Sequence, residues 1–341
     1  MVKFLFRSRF LLIICFLLLL TAETVNSQNK ISGTVLSAED STAIMGASIY
    51  FDGTSIGVSS NQDGDFNISF MDNNSALIIT SLGYEALVLD ASEILKKSAN
   101  SKYYLPIKRE ELETVYLETD PWSRSRKLSH FRKEFLGRNY AKYNCKIVNE
   151  EAIKLRYSPS EKTMIATANE PLIIHNEYLG YAIRYRLADF ELRFQMNGGL
   201  LLPYSTYFAG SAYFQPLKKK TGRRILRNRD RSYYGSSLHF MRSLYKQKLE
   251  ENNFAIYHRR FQVPPYKFFN ISEEGKNRRI ELLADDLNIL YDKTEQSAIV
   301  SKNAFTIDQF GNPSPPEAIL LKGIMSEKRI SELLPLDYKI N

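Results

Sequence analysis

From residue 33 to residue 70 the chain reads "GTVLSAEDSTAIMGASIYFDGTSIGVSSNQDGDFNISF", short apolar–polar alternations cut by glycine-bearing turns. No other feature restricts the fold as strongly. Ile31, Gly33 and Val35 share one parity, and Ala47, Ile49 and Phe51 form another short run. Phe66, Ile68 and Phe70 alternate with Asn67 and Ser69. Residues 76–80 are almost wholly apolar, and residues 84–89 follow Gly83. Turns are supplied by Asp52-Gly53, Asp63-Gly64, Asp72-Asn73-Asn74 and Leu82-Gly83. A period of two sends successive side chains to opposite faces of a strand. Short strands at this spacing predict an antiparallel β-sandwich with one face of each sheet in the core.

The same residues carry a family resemblance. "ISGTV…STAIMGASIYFDGTSIGVSSNQDGDFNISF…ALIITSLGYEAL" resembles the carboxypeptidase regulatory-like domain, a transthyretin-like β-sandwich. The resemblance rests on Gly33 and Val35, Gly46 and Ala47, Gly53-Thr54 and Gly57, Asp63-Gly64 and Phe66, and Ser81, Gly83 and Tyr84. Ser59 or Ser60 stands where the family has a threonine. "YYLPIKREELETVYLET" resembles the closing strand and the acidic linker, so the likeness spans residues 30–119. These are residues of turn and core. Gly53, Gly57 and Gly64 are expected to relieve backbone angles that other residues resist, and Phe66 and Tyr84 to plug the sandwich.

No peptidase activity follows from the family name. A zinc carboxypeptidase needs a His-x-x-Glu pair, and none of His130, His175, His239 and His258 has an acid three residues on. In "SSNQDGDFN" a calcium-loop alignment puts Ser59, Asn61 and Asp63 at positions one, three and five. It then puts Phe70 at position twelve, where a bidentate Glu is required. A plain β-turn is the expectation there, with no metal and no cofactor.

The first residues read as a secretory signal peptide. Lys3, Arg7 and Arg9 precede an eleven-residue apolar run at 10–20, and Val25 and Ser27 occupy the small-residue positions before a cut after residue 27. Eleven residues fall short of the ~20 that span a bilayer. Removing 27 of 341 residues leaves 314, a length that suits two domains. Cys145 alone survives processing, which excludes an internal disulfide. The formal charge of +8 becomes +6, unevenly spread. Residues 28–107 hold nine acidic and four basic residues, so the excess of positive charge lies beyond them. The expected organisation is a signal peptide at 1–27, the sandwich at 28–107, a linker at 108–121 and a second domain at 122–341.

In that second domain, "TDPWSRSRKLSHFRKEFLG" places Leu128, Phe131, Phe135 and Leu136 at helical spacing, with Gly137 as a stop. A helix is predicted over about 124–136. The period then changes to two. Ile153, Leu155 and Tyr157, and Met164, Ala166 and Ala168, predict a hairpin. Tyr181, Ile183, Tyr185 and Leu187 share one parity, and Phe190, Leu192, Phe194 and Met196 share the other, which predicts a bulge at Ala188-Asp189. "NGG" at 197–199 ends that strand, and residues 204–214 suit another. A second helix is predicted over 236–251, and extended segments follow to the end. The fold class is therefore an all-β transthyretin-like sandwich followed by an α+β domain with an antiparallel sheet and about two helices. "FLGRNYAKYNCKIVNEE", "PLIIHNEYLGYAIRYRLADF", "RDRSYYGSSLHFMRSLY" and "ELLPLDY" resemble the unnamed region behind this sandwich in exported proteins of Bacteroidetes-type bacteria. That resemblance implies a location and no mechanism.

Within residues 122–341 there is no Gly-x-Ser-x-Gly, phosphate-loop or dinucleotide motif. Ser236 and Ser237 near His239 read as a helix cap in preference to a catalytic pair. No catalytic residue is assigned. "KKKTGRRILRNRDR" at 218–231 carries eight Lys or Arg against one Asp. Its cations Lys218, Lys219, Lys220, Arg223, Arg224, Arg227, Arg229 and Arg231 form the candidate anionic-ligand surface, and a solvated loop before a helix is the plainer alternative. After export such a surface meets anionic glycans or lipid headgroups in place of nucleic acid. Tyr207, Phe208, Tyr213, Phe214, Tyr233 and Tyr234 flank it, as carbohydrate-facing aromatics or as sheet core.

The sequence thus predicts a non-enzymatic protein of the periplasm or outer membrane. Its sandwich is an interaction or spacer module, its partner another envelope protein or an anionic glycan or headgroup, and no transmembrane helix remains after signal removal. The alternative is an envelope hydrolase acting on glycan or peptide with its site in 120–341. A shortened relative of TonB-dependent receptors is disfavoured, because too few strands remain for a large barrel.

Overall fold

The computed structural model describes residues 30–69, 74–97, 100–109 and 118–340. The expected signal peptide, Phe70, Asp72-Asn73 and residues 110–117 of the expected linker lie outside the described residues.

The front of the chain is the β-sandwich. Its strands are β1 (Lys30–Ser37), β2 (Ser48–Phe51), β3 (Gly57–Ser59), β4 (Asp65–Ser69), β5 (Leu77–Thr80), β6 (Leu87–Leu89) and β7 (Ser101–Leu105), with a single-turn helix α1 (Ala91–Leu95) before the last. They form two sheets, β4-β1-β7 and β3-β2-β5-β6. Val35, Ile49, Phe51, Leu77, Ile79 and Leu105 are fully buried between them. Phe66 is buried and Tyr84 packs half-buried against the same cluster, so both fill the core as expected. The closing strand β7 runs parallel to β1. Gly33 is where the two strands touch: a Cβ there would lie 2.4 Å from the Ser101 carbonyl oxygen and from the Tyr103 ring.

Gly53 and Gly64 do adopt positive φ, +70° and +79°. Gly57 does not, and it corrects the expectation. Its Cβ would sit 2.5 Å from the Tyr213 ring, so the glycine there makes room for a residue of the following domain. In the Asn61 loop, Asn61 Oδ1 accepts from the backbone amides of Asp63 (3.0 Å) and Asp65 (2.8 Å). That side chain closes its own turn.

Behind the sandwich, the predicted first helix is present. Ser123 Oγ accepts from the Arg126 amide and caps α2 (Arg124–Phe131). The helix continues as one π-helical turn, Arg132–Leu136, and stops at Gly137, φ +103°. Phe131, Phe135 and Leu136 are fully buried. They face a six-stranded antiparallel sheet of β8 (Cys145–Ile147), β9 (Ile153–Ser158), β10 (Thr163–Ala168), β11 (Leu172–Asn176), β12 (Tyr181–Asn197) and β13 (Leu200–Pro216). Strands β11 and β10 pair one edge of β12, end to end, while β13 pairs the other along its length. At 17 residues each, β12 and β13 make a hairpin of about 55 Å. The register shifts between Leu187 and Asp189, where the parity of the sequence changes. The bulge keeps Tyr185 and Leu187 buried before it and Phe190 and Leu192 buried after it.

Two corrections follow. The basic stretch read as a loop contains a helix, α3 (Arg223–Tyr233), and the next helix, α4 (Ser237–Tyr245), ends six residues before the predicted boundary. The remainder is richer in strands than one antiparallel sheet allows. After α4 come β14 (Phe254–His258), β15 (Phe261–Val263), β16 (Phe269–Glu274), β17 (Asn277–Leu282), β18 (Asp286–Tyr291), β19 (Glu295–Val300), β20 (Phe305–Ile307), β21 (Pro313–Ser314) and β22 (Leu320–Gly323), then a short α5 (Ile324–Glu327). They build a five-stranded sheet, β15-β14-β18-β19-β22, and a four-stranded sheet, β16-β17-β20-β21. These sheets and α4 share a hydrophobic cluster around Phe240, Phe254, Ile280, Ile289 and Phe305. The six-stranded sheet keeps its own cluster and recruits Ile330, Leu334 and Tyr338 from the C-terminal tail. No helix among the described residues is long and apolar enough to cross a membrane.

Candidate functional site

The basic segment resolves into a loop and an amphipathic helix. Successive helical residues are rotated by about 100°. Arg223, Arg224, Arg227 and Arg231 therefore fall within one arc of about 100°, and all four are exposed. Asn228, Arg229, Ser232 and Tyr233 occupy the opposite face and are buried. Lys218, Lys219 and Lys220 are exposed immediately before the helix. Four of the eight predicted cations thus share one helix face, three more are exposed just before it in the chain, and none of the seven has a carboxylate partner among the described residues.

Arg229 is the exception, and it leaves the candidate surface. It is 8% exposed, its Nε donates to the Leu179 carbonyl at 2.8 Å, and its guanidinium lies 3.9 Å from the centroid of the Tyr181 ring. Burial pushes that guanidinium below its usual pKa range. With Asn228 Nδ2 donating to the Tyr178 carbonyl (2.9 Å), it rivets α3 to the turn between β11 and β12. Gly180 admits the helix there, since a Cβ would press on Ile225 at 3.0 Å. Asp230, the one acid of the segment, accepts from the Tyr338 hydroxyl at 2.5 Å. Its charge is thereby turned toward the C-terminal tail.

The helix terminus is electrostatically unfavourable by itself. Gly222 at the cap offers no side-chain hydrogen bond, and Arg223 and Arg224 occupy a first turn without an acid. Cations at a helix N-terminus oppose the macrodipole, at about 0.3–1 kcal/mol each. An anion on this face relieves both the dipole and the crowding of like charges.

The flanking aromatics mostly serve the core. Tyr213, Phe214 and Tyr233 are buried and Phe208 is half-buried, while Tyr207 and Tyr234 stay exposed. They do not assemble a carbohydrate platform beside the cations.

Ser236 caps α4, as expected. Its Oγ donates to the Tyr233 carbonyl (2.6 Å) and accepts from the His239 amide (3.1 Å). The His239 ring instead receives the Gly235 amide on Nδ1 (3.3 Å) and faces Asn252 Oδ1 with Nε2 (3.4 Å). Burial among Tyr233, Phe254 and Tyr291 pushes its pKa down to about 4. A ring held neutral by packing, with both nitrogens engaged elsewhere, does not activate Ser236. Cys145 is 2% exposed, and burial pushes its thiol up to about 12. Iodoacetamide at pH 8 is accordingly expected to leave Cys145 unmodified in the native protein and to label it once in denaturant, read by intact mass. Native-state labelling within minutes would show the thiol to be accessible.

Sequence reasoning missed the way the sandwich is seated. Its turn at residues 52–55 is clamped by β13 and the tail. The Gly53 amide donates to the Ala212 carbonyl (2.8 Å), the Ala212 amide to Asp52 Oδ1 (2.7 Å), and the Phe214 amide to the Thr54 carbonyl (3.0 Å). The Leu336 amide donates to the Gly53 carbonyl (2.7 Å), and Asp337 accepts from the Ser55 amide (2.8 Å) and hydroxyl. Tyr50 stacks on Tyr213 at 5.1 Å and shares a hydrogen bond with Ser211. A second contact joins Asn74 to the four-stranded sheet: its amide donates to Asp308 Oδ2 (2.8 Å), and Asn277 Nδ2 donates to its side-chain oxygen (3.0 Å). The far end of the expected linker is also pinned, with Asp120 accepting from the Tyr157 amide (3.0 Å) and from Lys127. The signal lay in the family's own Gly53-Thr54 and Gly57, whose neighbours a sequence does not name.

With that geometry in view, the comparisons agree with the front of the chain. Residues 31–117 match the CarboxypepD_reg-like domain family, and this segment is such a domain. The TonB-dependent receptor P3 of Formosa agariphila is 33% identical over 102 residues, which cover 29% of this chain and 10% of the receptor. The likeness therefore spans about a tenth of that relative. Among solved structures, a DUF3823 family protein from Parabacteroides merdae aligns over 56% of this chain and 81% of its own at 13% identity and TM-score 0.17. One from Bacteroides ovatus aligns over 82% and 100% at 9% identity and TM-score 0.17. A TM-score of 0.17 carries no argument about the fold described above.

Proposed function

We propose that this is a non-enzymatic cell-envelope protein in which a sandwich, braced against the following domain, holds a cationic helix face toward an anionic glycan or lipid headgroup. The observation that carries the reading is the run of seven exposed cations on α3 and its leading loop, none with a carboxylate partner among the described residues, with the lone acid withdrawn to Tyr338. Placing Arg223 and Arg224 in a first turn costs helix stability, which a surface selected only for folding has no reason to bear. The envelope setting draws on the signal-peptide expectation and on the receptor that resembles 102 residues of this chain. In the same reading the chain is organised as a sandwich at 28–107, a linker at 108–121 and a binding domain at 122–341, and the protein is exported to the periplasm or the outer membrane.

The test is retention on a purified envelope fraction. Each cation near an anionic surface contributes about 1 kcal/mol at moderate salt. Replacing Arg223, Arg224 and Arg227 together by Ala is expected to lower retention by roughly tenfold or more, and raising salt to weaken the native protein toward the same level. Retention unchanged by the triple substitution removes the reading.

A further inference from the structure

A separate cleft opens on the side of the six-stranded sheet where the π-helical turn ends. It has a volume of about 220 Å³ and is lined from three distant segments. Lys133, Glu134, Gly137 and Arg138 come from the turn and its stop, Pro203 to Thr206 from β13, and Ser326, Glu327 and Arg329 from α5 and the residues after it. A π-turn inserts an extra residue into a helix and is frequent at functional sites. Here it is followed by Gly137 at φ +103°, where a Cβ would press on Arg329 Cβ at 3.1 Å. The unusual backbone thus lets Arg329 close one wall.

The groups in the cleft are unevenly satisfied. Glu134 accepts from the Thr206 hydroxyl at 3.0 Å, and Glu327 lies 3.8 Å from the Arg138 guanidinium. The half-buried Arg329 guanidinium has the Phe208 ring 5.4 Å away and no hydrogen-bonded or ion-paired partner among the described residues. Burial lowers its affinity for a proton, with Glu134 and Glu327 acting in the opposite sense. Lys133 is exposed at the rim and likewise unpaired. Three cations therefore stand against two carboxylates, a balance that one ligand carboxylate neutralises. Glu134, Tyr204, Ser205, Thr206 and Ser326 offer donors and acceptors suited to ring hydroxyls. The volume is below that of a drug-sized site and fits a single small ring. Both carboxylates already face a partner, so the arrangement is suited to holding a ligand.

We infer that this cleft binds a sugar acid, a monosaccharide unit whose carboxylate pairs with Arg329 and Lys133 and whose hydroxyls meet Glu134 and the Tyr204–Thr206 edge of β13. This site is distinct from the cationic face of α3.

Titration calorimetry of the purified protein with galacturonate and glucuronate, and with galactose and glucose as neutral counterparts, tests the inference. At least one acid is expected to bind saturably and tenfold or more tightly than its neutral counterpart. Lys133→Ala should weaken that binding severalfold and Thr206→Val should weaken it as well, while Arg329→Gln should abolish it. The triple Arg223, Arg224 and Arg227 substitution should leave it unchanged, which separates this site from envelope retention. Equal affinity for acid and neutral sugars overturns the inference. So does the absence of binding at millimolar sugar acid, or binding that survives Lys133→Ala and Thr206→Val but is lost in the triple variant. The exposed Lys133 keeps the test decisive if Arg329→Gln fails to fold.

Discussion

Gly57→Ala is expected to destabilise the protein by about 2 kcal/mol, within the 1–3 kcal/mol range for an added methyl in a packed site. The new Cβ would lie 2.5 Å from Cζ of Tyr213 and 2.7 Å from its hydroxyl, closer than packed atoms approach. Gly57 does not adopt the left-handed φ that an alanine would resist, so that form of backbone strain is not the cause. The Tyr213 ring must swing out, which breaks its stack on Tyr50 and opens the small cluster of Tyr50, Ile78 and Tyr213. The loss falls at the seam, while the sandwich and the domain behind it keep their own cores. Thermal unfolding followed by calorimetry is expected to separate into two transitions in the variant. Tyr213→Ala in the same background should recover part of the cost, with a coupling of about 1 kcal/mol in the double-mutant cycle. Additive single substitutions would show that the two residues do not meet.

The second large effect is a pH dependence centred on Asp52. Desolvation lifts its carboxyl from the usual carboxylate range to about 6, against hydrogen bonds from the Ala212 and Gly53 amides that favour the charged form. Its charge is felt by Tyr50 and Tyr185, with Arg184 and Arg186 acting on Tyr50 from β12. Because the native state holds this proton more tightly than the unfolded chain does, Asp52 makes stability fall as pH rises from about 4 to about 6, and level off above. With 1.36 kcal/mol per unit, and solvent reaching a carboxylate that is only part-buried, the change is about 2 kcal/mol. Asp308 and Glu332 are raised by burial as well, so the wild-type profile contains their share. Asp52→Asn isolates the effect. It keeps the Oδ1 acceptor for the Ala212 amide, removes the charge, and is expected to be more stable than the wild type at pH 7.5 and indistinguishable from it near pH 4. Denaturant midpoints at the two pH values give the comparison, and a constant difference across that range would refute the assignment.

Much of the scaffold was legible because it depends on local pattern. The alternation in residues 31–89 pointed to the sandwich, the parity change at Ala188-Asp189 to the bulge, and the spacing of Leu128, Phe131, Phe135 and Leu136 before Gly137 to the first helical stretch. What escaped depends on partners far along the chain. The helix at Arg223–Tyr233 lacked its usual signals, having no polar cap side chain, no acid in its first turn and four arginines in its first seven residues. The arginines read as loop because the face they leave exposed is nearly all charge, while the face that holds the helix down is built on Tyr178, Leu179 and Gly180. For the same reason sequence alone counted Arg229 with its neighbours, although the ring of Tyr181 claims it. Helix α4 stopped short at Tyr245 because the chain turns after it, with the Lys248 amide bonding back to the Ser243 carbonyl. The cleft was invisible for a plainer cause: Glu134, Thr206 and Arg329 are brought together only by the fold.

Both large predictions depend on the sandwich being seated on β13 and on the tail. Amide hydrogen exchange of Gly53, Ala212, Phe214 and Leu336 reads that seating residue by residue. The account predicts that all four exchange only through sub-global opening, about a thousandfold or more below the unprotected rate at pH 7. Exchange of these four amides at the rate of an open loop, with the sandwich core still protected, would contradict it.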